Sequence, residues 1–294
     1  MTDGGTAAQR LSLFRSPAGR ERILTAYQAM LEQWPVPYEE LDVNTRFGAT
    51  HVIASGSQEA PPLMLVHAFY ATATVWQPNV AALSRQHRVY AVDCLGEPNR
   101  SQPIRPISSR AEFGAWWTDL MDGLKIESAD MAGNSNGGFL TLNQVLLTPS
   151  RIRKAALIGP AATFMQMWPF YLNFFLPVLT GSRAWVERGL RWCLQGVPVE
   201  TAWEKLFLAC LLGGLSLNRV FPAVFTDDEL RQVRTPVLLL IGDHEVIYSP
   251  QQVVERARRL MPCLTAESVP SANHFSAASA PAWVNDRLLR FFAE

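Results

Sequence analysis

Gly133-Asn134-Ser135-Asn136-Gly137 follows the apolar run Ala129-Asp130-Met131-Ala132 and precedes Phe139-Leu140-Thr141-Leu142-Asn143-Gln144-Val145. This order predicts a strand, a sharp turn and a helix, with a serine at the turn and a glycine two positions to either side. Glycine has no Cβ, so Gly133 and Gly137 let strand and helix approach closely around a strained Ser135. A serine hydroxyl is a weak nucleophile at neutral pH. It becomes an effective one where a base reaches it and backbone N–H groups face the developing oxyanion, and a strand-to-helix turn can meet both needs. The five-residue pattern alone is common, and the flanking strand and helix make it informative.

Outward from this turn the chain alternates between short apolar runs and helical segments. Leu63-Met64-Leu65-Val66 and Val89-Tyr90-Ala91-Val92 are continuous apolar runs with a helical stretch from Val75 to Arg85 between them, as buried parallel strands and a crossover require. A helix from Arg110 to Leu124 precedes the strand ending at Ala132, and Lys154 to Ile158 supplies the next strand. The winding resumes at Pro236 to Ile241, followed by a helix from Gln251 to Leu260, a strand near Thr265 to Val269 and a closing helix from Ala282 to Phe292. Upstream, Ile23, Tyr27 and Leu31 mark an amphipathic helix over Arg20 to Glu32. Glu40 to Phe47 and Thr50 to Ala54 alternate as an antiparallel pair at a sheet edge. The segment after Pro160 breaks the pattern, being rich in Trp, Phe, Met and Leu without strand alternation. The expected organisation is a core in two parts, residues 1–160 and 223–294, interrupted by a helical insertion over 161–222.

Bulk properties narrow the classes of partner. With 26 basic and 26 acidic residues the chain has no electrostatic footprint for nucleic acid or an anionic membrane surface. The most apolar stretches, Phe164 to Leu179 and Leu206 to Leu217, are interrupted by Pro169 and Pro177 or by Gly213 and Gly214, so no membrane span is expected. Cys94, Cys193, Cys210 and Cys263 form no C-x-x-C pair, and no metal site or disulfide framework is signalled. The start, Met1-Thr2-Asp3-Gly4-Gly5-Thr6, lacks the basic and apolar regions of a signal peptide, which makes a cytoplasmic location the expectation. Nothing in the sequence decides for or against a homo-oligomer.

A nucleophilic serine needs a base, and there are five histidines. His274 is the best placed, in the loop Pro270-Ser271-Ala272-Asn273-His274-Phe275 between the last strand and the last helix, where it can reach over the carboxyl edge of the sheet. His51 and His87 read as structural. A carboxylate must then orient the imidazole. The chain order Ser, acid, His points to Gly242-Asp243-His244-Glu245, after the Pro236 to Ile241 strand. Glu245 is the expected acid, since three residues beyond Gly242 the loop has room to turn. Asp243 is the alternative, although next to the strand it can bond nearby backbone instead. The oxyanion donors are expected to be the N–H of Asn136 and that of Phe69 in the loop His67-Ala68-Phe69, with His67 as a brace.

These residues and their order resemble the α/β-hydrolases over nearly the whole chain. Trp34-Pro35-Val36-Pro37-Tyr38, Phe47-Gly48-Ala49-Thr50-His51-Val52-Ile53 and Glu245-Val246-Ile247-Tyr248 are further similar to bacterial carboxylesterases of the naproxen-esterase type. The resemblance implies a mostly parallel eight-stranded sheet flanked by helices, an inserted helical cap, a Ser135–His274–Glu245 triad, an acyl-enzyme and no cofactor. Two departures stand out. Many relatives have His-Gly where this chain has His67-Ala68, and Glu97-Pro98 replaces part of a small glycine-rich loop, which is expected to reshape the pocket rim. A serine at the elbow disfavours the carboxylate-attack chemistry of haloalkane dehalogenases and epoxide hydrolases. Hydrolysis of a small carboxylic ester with an apolar acyl or aryl group is the leading expectation. Carbon–carbon bond hydrolysis or a perhydrolase activity on the same residues is the alternative, and a non-catalytic ligand-binding homologue comes third.

Overall fold

Apolar runs without alternation imply strands buried on both faces, and the sheet at the centre of the molecule has that character. The computed structural model describes residues 11–294, and the polar start, Met1 to Thr6, lies outside the described residues. The strands are β1 (Tyr38–Thr45), β2 (Gly48–Ser55), β3 (Pro62–Val66), β4 (Arg88–Val92), β5 (Gln102–Pro103), β6 (Ala129–Asn134), β7 (Ile152–Ile158), β8 (Val237–Gly242) and β9 (Leu264–Val269). Eight of them run in the order β1-β2-β4-β3-β6-β7-β8-β9, and the two-residue β5 pairs with β2 to one side. β2 is antiparallel to both β1 and β4, while β4, β3, β6, β7, β8 and β9 are mutually parallel. The expected eight-stranded, mostly parallel sheet is therefore present, with β1 at its edge. The small ninth strand forms because Gly48 (φ 134°) lets the Gln102 carbonyl approach to a point where a Cβ would lie 2.2 Å away.

The buried side chains of β3 and β8 divide between two apolar clusters. Met64, Val66, Val237, Leu239 and Ile241 join one cluster, with α3 (Arg110–Gly123), α4 (Asn136–Leu147) and α10 (Pro250–Leu260). Leu63, Leu65, Leu238 and Leu240 join the other, with α1 (Pro17–Glu32), α2 (Gln77–Leu83) and α11 (Pro281–Ala293). Alternate residues of each strand thus serve opposite faces, and helices cover both. α1 starts three residues before the expected Arg20. Pro17 opens it with a preset φ, and the Ser16 hydroxyl caps it by accepting the Gly19 N–H at 3.0 Å.

Between β7 and β8 the chain forms α5 (Trp168–Phe170), a π-helical turn (Tyr171–Phe175), α6 (Leu176–Leu179), α7 (Arg183–Leu194), α8 (Thr201–Gly213) and α9 (Asp227–Gln232), with no strand among the described residues of 161–222. Phe164, Met167 and Phe174 are buried here, whereas Trp168 is 67% exposed. No helix among the described residues is long and apolar enough to cross a membrane.

Candidate active site

The carboxyl ends of β3, β6, β7, β8 and β9 converge, and every residue expected to act comes from a loop at one of them. At the end of β6, Ser135 has φ 54° and ψ −115°. Such a conformation costs a non-glycine residue about 1–3 kcal/mol, which the surroundings must offset. The Ser135 N–H donates to the Ile158 carbonyl at 2.9 Å, and its own carbonyl accepts the Ala161 N–H at 2.9 Å and the Phe139 N–H at 3.2 Å. The flanking glycines permit the turn. A Cβ on Gly133 would lie 2.1 Å from the Gly137 carbonyl oxygen, and one on Gly137 would lie 2.2 Å from the Val66 carbonyl oxygen.

The Ser135 Oγ lies 2.9 Å from His274 Nε2, and His274 Nδ1 lies 2.7 Å from Glu245 Oε2. A carboxylate only accepts, so Nδ1 carries the hydrogen and Nε2 is left to accept from the serine hydroxyl. Glu245 is itself fixed, its Oε1 accepting the N–H groups of Val246 at 2.8 Å and Ile247 at 3.0 Å. Asp243 points elsewhere. Its oxygens accept the N–H groups of Ser271 at 2.9 Å and Ala272 at 3.1 Å, so it shapes the histidine loop through the backbone. Of the two candidate acids, Glu245 is brought to His274. Gly159 (φ 50°) lies against the same loop, where a Cβ would stand 3.0 Å from the His274 carbonyl oxygen.

Asn136 opens α4, where the first N–H groups of a helix have no partner within the helix. Neither its N–H nor that of Phe69 meets an acceptor among the described residues. Both are therefore free to receive an anion. Ala68 lies outside the left-handed region, and the positive φ of this loop is carried by Tyr70 (53°). His67 braces the same loop: its Nε2 accepts the Cys94 N–H at 2.9 Å, and its Nδ1 donates to the Ala68 carbonyl at 2.7 Å. Burial holds its pKa below the ordinary value, which keeps the ring neutral in this role.

Three further residues support the site. Asn134 Nδ2 donates to the Ile158 carbonyl at 2.9 Å and reaches the His274 carbonyl at 3.5 Å, linking the elbow to the histidine loop. Asn273 Nδ2 donates to the Leu194 and Val197 carbonyls at 3.2 and 3.3 Å, and Phe275 packs against Trp203 and Phe207. The end of α7, the loop after it and α8 thereby hold the loop that carries His274. Their sequence signal is weak: an asparagine directly before Ser135 and another directly before His274, with Phe275 directly after it. Glu97, expected to act at a pocket rim, is buried against Tyr70, Ser216 and Asn218. Of the remaining histidines, His51 meets Tyr27, Asp93 and Glu40, and His244 lies on the surface beside Asp243.

Comparison with known proteins places the chain in a family. The chain is 40% identical over 280 residues to an uncharacterised carboxylesterase, nap, of Bacillus subtilis (strain 168), covering 92% of each chain. It is 38% identical over 280 residues to the carboxylesterase YbfK of the same organism, covering 92% of this chain and 93% of that one. The crystal structure of naproxen esterase (carboxylesterase NP) from Bacillus subtilis superposes with a TM-score of 0.89 at 38% identity, over 95% of this chain and 99% of that one. Residues 63–287, which include Phe69, Ser135, Asn136, Glu245 and His274, match the alpha/beta hydrolase family, and this chain belongs to it.

Proposed function

We propose that the chain is a carboxylesterase that works through an acyl-enzyme on Ser135. His274 takes the serine proton on Nε2 as Oγ bonds to the ester carbonyl carbon, and the carbonyl electron pair moves onto oxygen. The Asn136 and Phe69 N–H groups receive that oxyanion, each worth about 3 kcal/mol in the transition state. Collapse of the intermediate breaks the carbon–oxygen bond to the leaving alcohol, which takes the proton from His274. Water then repeats the sequence on the acyl-enzyme and releases the acid. Glu245 accepts from Nδ1 and orients the imidazole, while Asp243 shapes the loop. The scheme calls on no metal and no cofactor.

The observation that carries this reading is the unbroken relay from Glu245 through His274 to Ser135, with 2.7 and 2.9 Å contacts, on a serine held at positive φ. The identity to proteins named as carboxylesterases supports ester hydrolysis over carbon–carbon cleavage. In this reading residues 161–222 form a cap over the site, and the substrate is a small ester whose acyl or aryl group is apolar. The anchoring of the histidine loop by Asn273 and Phe275 to that insertion supports such a cap. A cytoplasmic setting is part of the proposal, in keeping with the buried free thiols of Cys94, Cys193 and Cys210. The test is turnover of short aryl esters and 2-arylpropionate esters. Wild-type protein is expected to hydrolyse them, and Ser135→Ala is expected to lose at least about a thousandfold in kcat. Unchanged turnover in Ser135→Ala would move the chemistry to another residue.

A further inference from the structure

The loop after β4 contains a carboxyl group that no cation balances. Glu97 is 1% exposed, and among the described residues its side chain meets only neutral donors. Its Oε2 accepts the Tyr70 N–H at 3.0 Å. Its Oε1 accepts the Ser216 hydroxyl at 2.5 Å and the Asn218 amide at 3.4 Å. Burial raises its pKa to about 7, against the three hydrogen bonds, which pull the other way. The titratable groups facing it are Tyr70 from the loop after β3, Cys94 from its own loop and Cys210 from α8, with Asp93 and Arg15 acting on these neighbours. An ionised carboxyl held by neutral donors alone costs folding stability. Stability therefore does not explain it.

Its contacts are better explained by position. Tyr70 follows Phe69 directly and is the left-handed residue of that loop, so the bond to its N–H fixes the peptide plane next to the proposed oxyanion donor. Ser216 and Asn218 belong to the segment that leads out of the helical insertion. That segment is laced to the Glu97 loop by the Leu217 N–H to the Gly96 carbonyl and the Asn218 amide to the Leu95 carbonyl, both 2.8 Å. It ends at Phe221, whose ring lies 6.4 Å from that of Phe69. One carboxyl group thus touches both the oxyanion loop and the exit of the insertion.

We propose that Glu97 is a positioning residue for ester hydrolysis: it holds the Phe69 N–H in its productive direction through Tyr70, and it ties that direction to the seating of residues 214–221 through Ser216. The inference rests on the assignment of Phe69 as an oxyanion donor. Ionised, the carboxyl accepts all its bonds; protonated, one of its oxygens turns donor and the Tyr70 clamp weakens. Activity should therefore fall as the pH drops through neutrality and the Glu97 carboxyl takes up its proton.

The experiment compares wild type, Glu97→Gln, Glu97→Ala and Ser216→Ala by steady-state kinetics on a short aryl ester, by inhibition with an alkylboronic acid and by thermal melting. The boronic acid forms a tetrahedral anion on the nucleophilic serine and so reads the oxyanion donors directly. Both Glu97 variants are expected to lower kcat roughly tenfold and weaken boronate inhibition by a similar factor, with KM changed less than about twofold. Ser216→Ala should lower kcat about threefold. Glu97→Gln should also flatten the acid limb of the kcat–pH profile and melt no lower than wild type at pH 8. A folded Glu97→Gln with wild-type kcat and boronate affinity overturns the proposal. Parallel losses in kcat, KM and melting temperature, or failure of both Glu97 variants to fold, assign the residue to folding and overturn it equally. Unchanged kcat in Ser216→Ala removes the exit segment from it. A wild type that neither turns over the ester nor binds the boronate defeats the ester-hydrolase reading itself, an outcome distinct from these.

Discussion

Among the buried histidine–carboxylate pairs of the described residues, His274–Glu245 and His51–Asp93 make the sharpest contrast, because only the first also reaches a serine hydroxyl. His274 meets Glu245 through Nδ1 at 2.7 Å and a serine hydroxyl through Nε2 at 2.9 Å. His51 meets Asp93 through Nδ1 at 3.2 Å, the Tyr27 hydroxyl at 3.3 Å from the same nitrogen, and Glu40 through Nε2 at 3.0 Å. With a carboxylate at each nitrogen the charged form of His51 is favoured, and neither nitrogen faces a serine hydroxyl. Burial alone would lower its pKa, but the hydrogen bond to Asp93 and the charges of Asp93 and Glu40 raise it above the ordinary value. The lesson is that a buried histidine–acid pair is not itself a catalytic signature. The distinguishing features of the His274 pair are a single carboxylate, a nucleophile held at positive φ and unpartnered N–H groups beside it.

Removing each histidine in turn breaks this comparison most sharply. His274→Ala is expected to lower kcat by about a thousandfold or more while the protein stays folded. His51→Ala should leave kcat within a few-fold but cost roughly 3 kcal/mol of stability, because Asp93 is left buried without its charged partner. Kinetics and denaturant unfolding on the two variants check both halves. If His51→Ala were the one to abolish turnover of a folded protein, the roles would be exchanged.

The acids provide the next contrast. Glu245→Gln keeps the shape of the site but removes the charge that stabilises the imidazolium, so kcat should fall by about a hundredfold or more. Asp243→Asn, whose oxygens serve the Ser271 and Ala272 N–H groups, should change kcat by less than about threefold. The opposite ranking in steady-state rates would transfer the role to Asp243.

A smaller effect lies in the pH dependence of stability at the His51–Asp93 pair. The folded pKa of His51 is raised, so its contribution is complete below its unfolded value near 6.5 and is lost as the pH climbs through the folded value. Asp93 is lowered: burial acts against ionisation, but its bonds to His51 and to the Ala73 N–H prevail. Its contribution is present above about 3.8 and fades as the pH falls through the folded value. Urea unfolding of wild type and His51→Asn at pH 5.5 and pH 8 should show the stability gap shrinking at the higher pH. A gap that widened would contradict the ion pair.

What the sequence made legible was local. The apolar runs at Leu63 to Val66 and Val237 to Ile241 declared two buried faces, and the glycines around Ser135 declared a close approach that a Cβ would block. The preference for Glu245 over Asp243 was also local, since a side chain directly after a strand meets neighbouring backbone first. Contacts between residues distant in sequence were not legible. Glu97 bonds to Ser216 and Asn218 across more than a hundred residues, so its Glu-Pro context pointed to the pocket rim but not to the partners that bury its carboxyl. Asn134 and Asn273 gained meaning only when folding brought the His274 carbonyl and the end of the α7 region to them. A periodicity reports which face is buried, not which distant carbonyl will be opposite.

The central claim, that Ser135 rather than any other buried nucleophile carries the acyl group, is tested most directly by covalent labelling. Wild-type protein is treated with a fluorophosphonate, digested and mapped by mass spectrometry, with His274→Ala in parallel. The account predicts one adduct per chain on Ser135 and labelling slowed by about a thousandfold in the His274 variant. An adduct on a different residue, or ester turnover that persists in fully Ser135-modified protein, would contradict it.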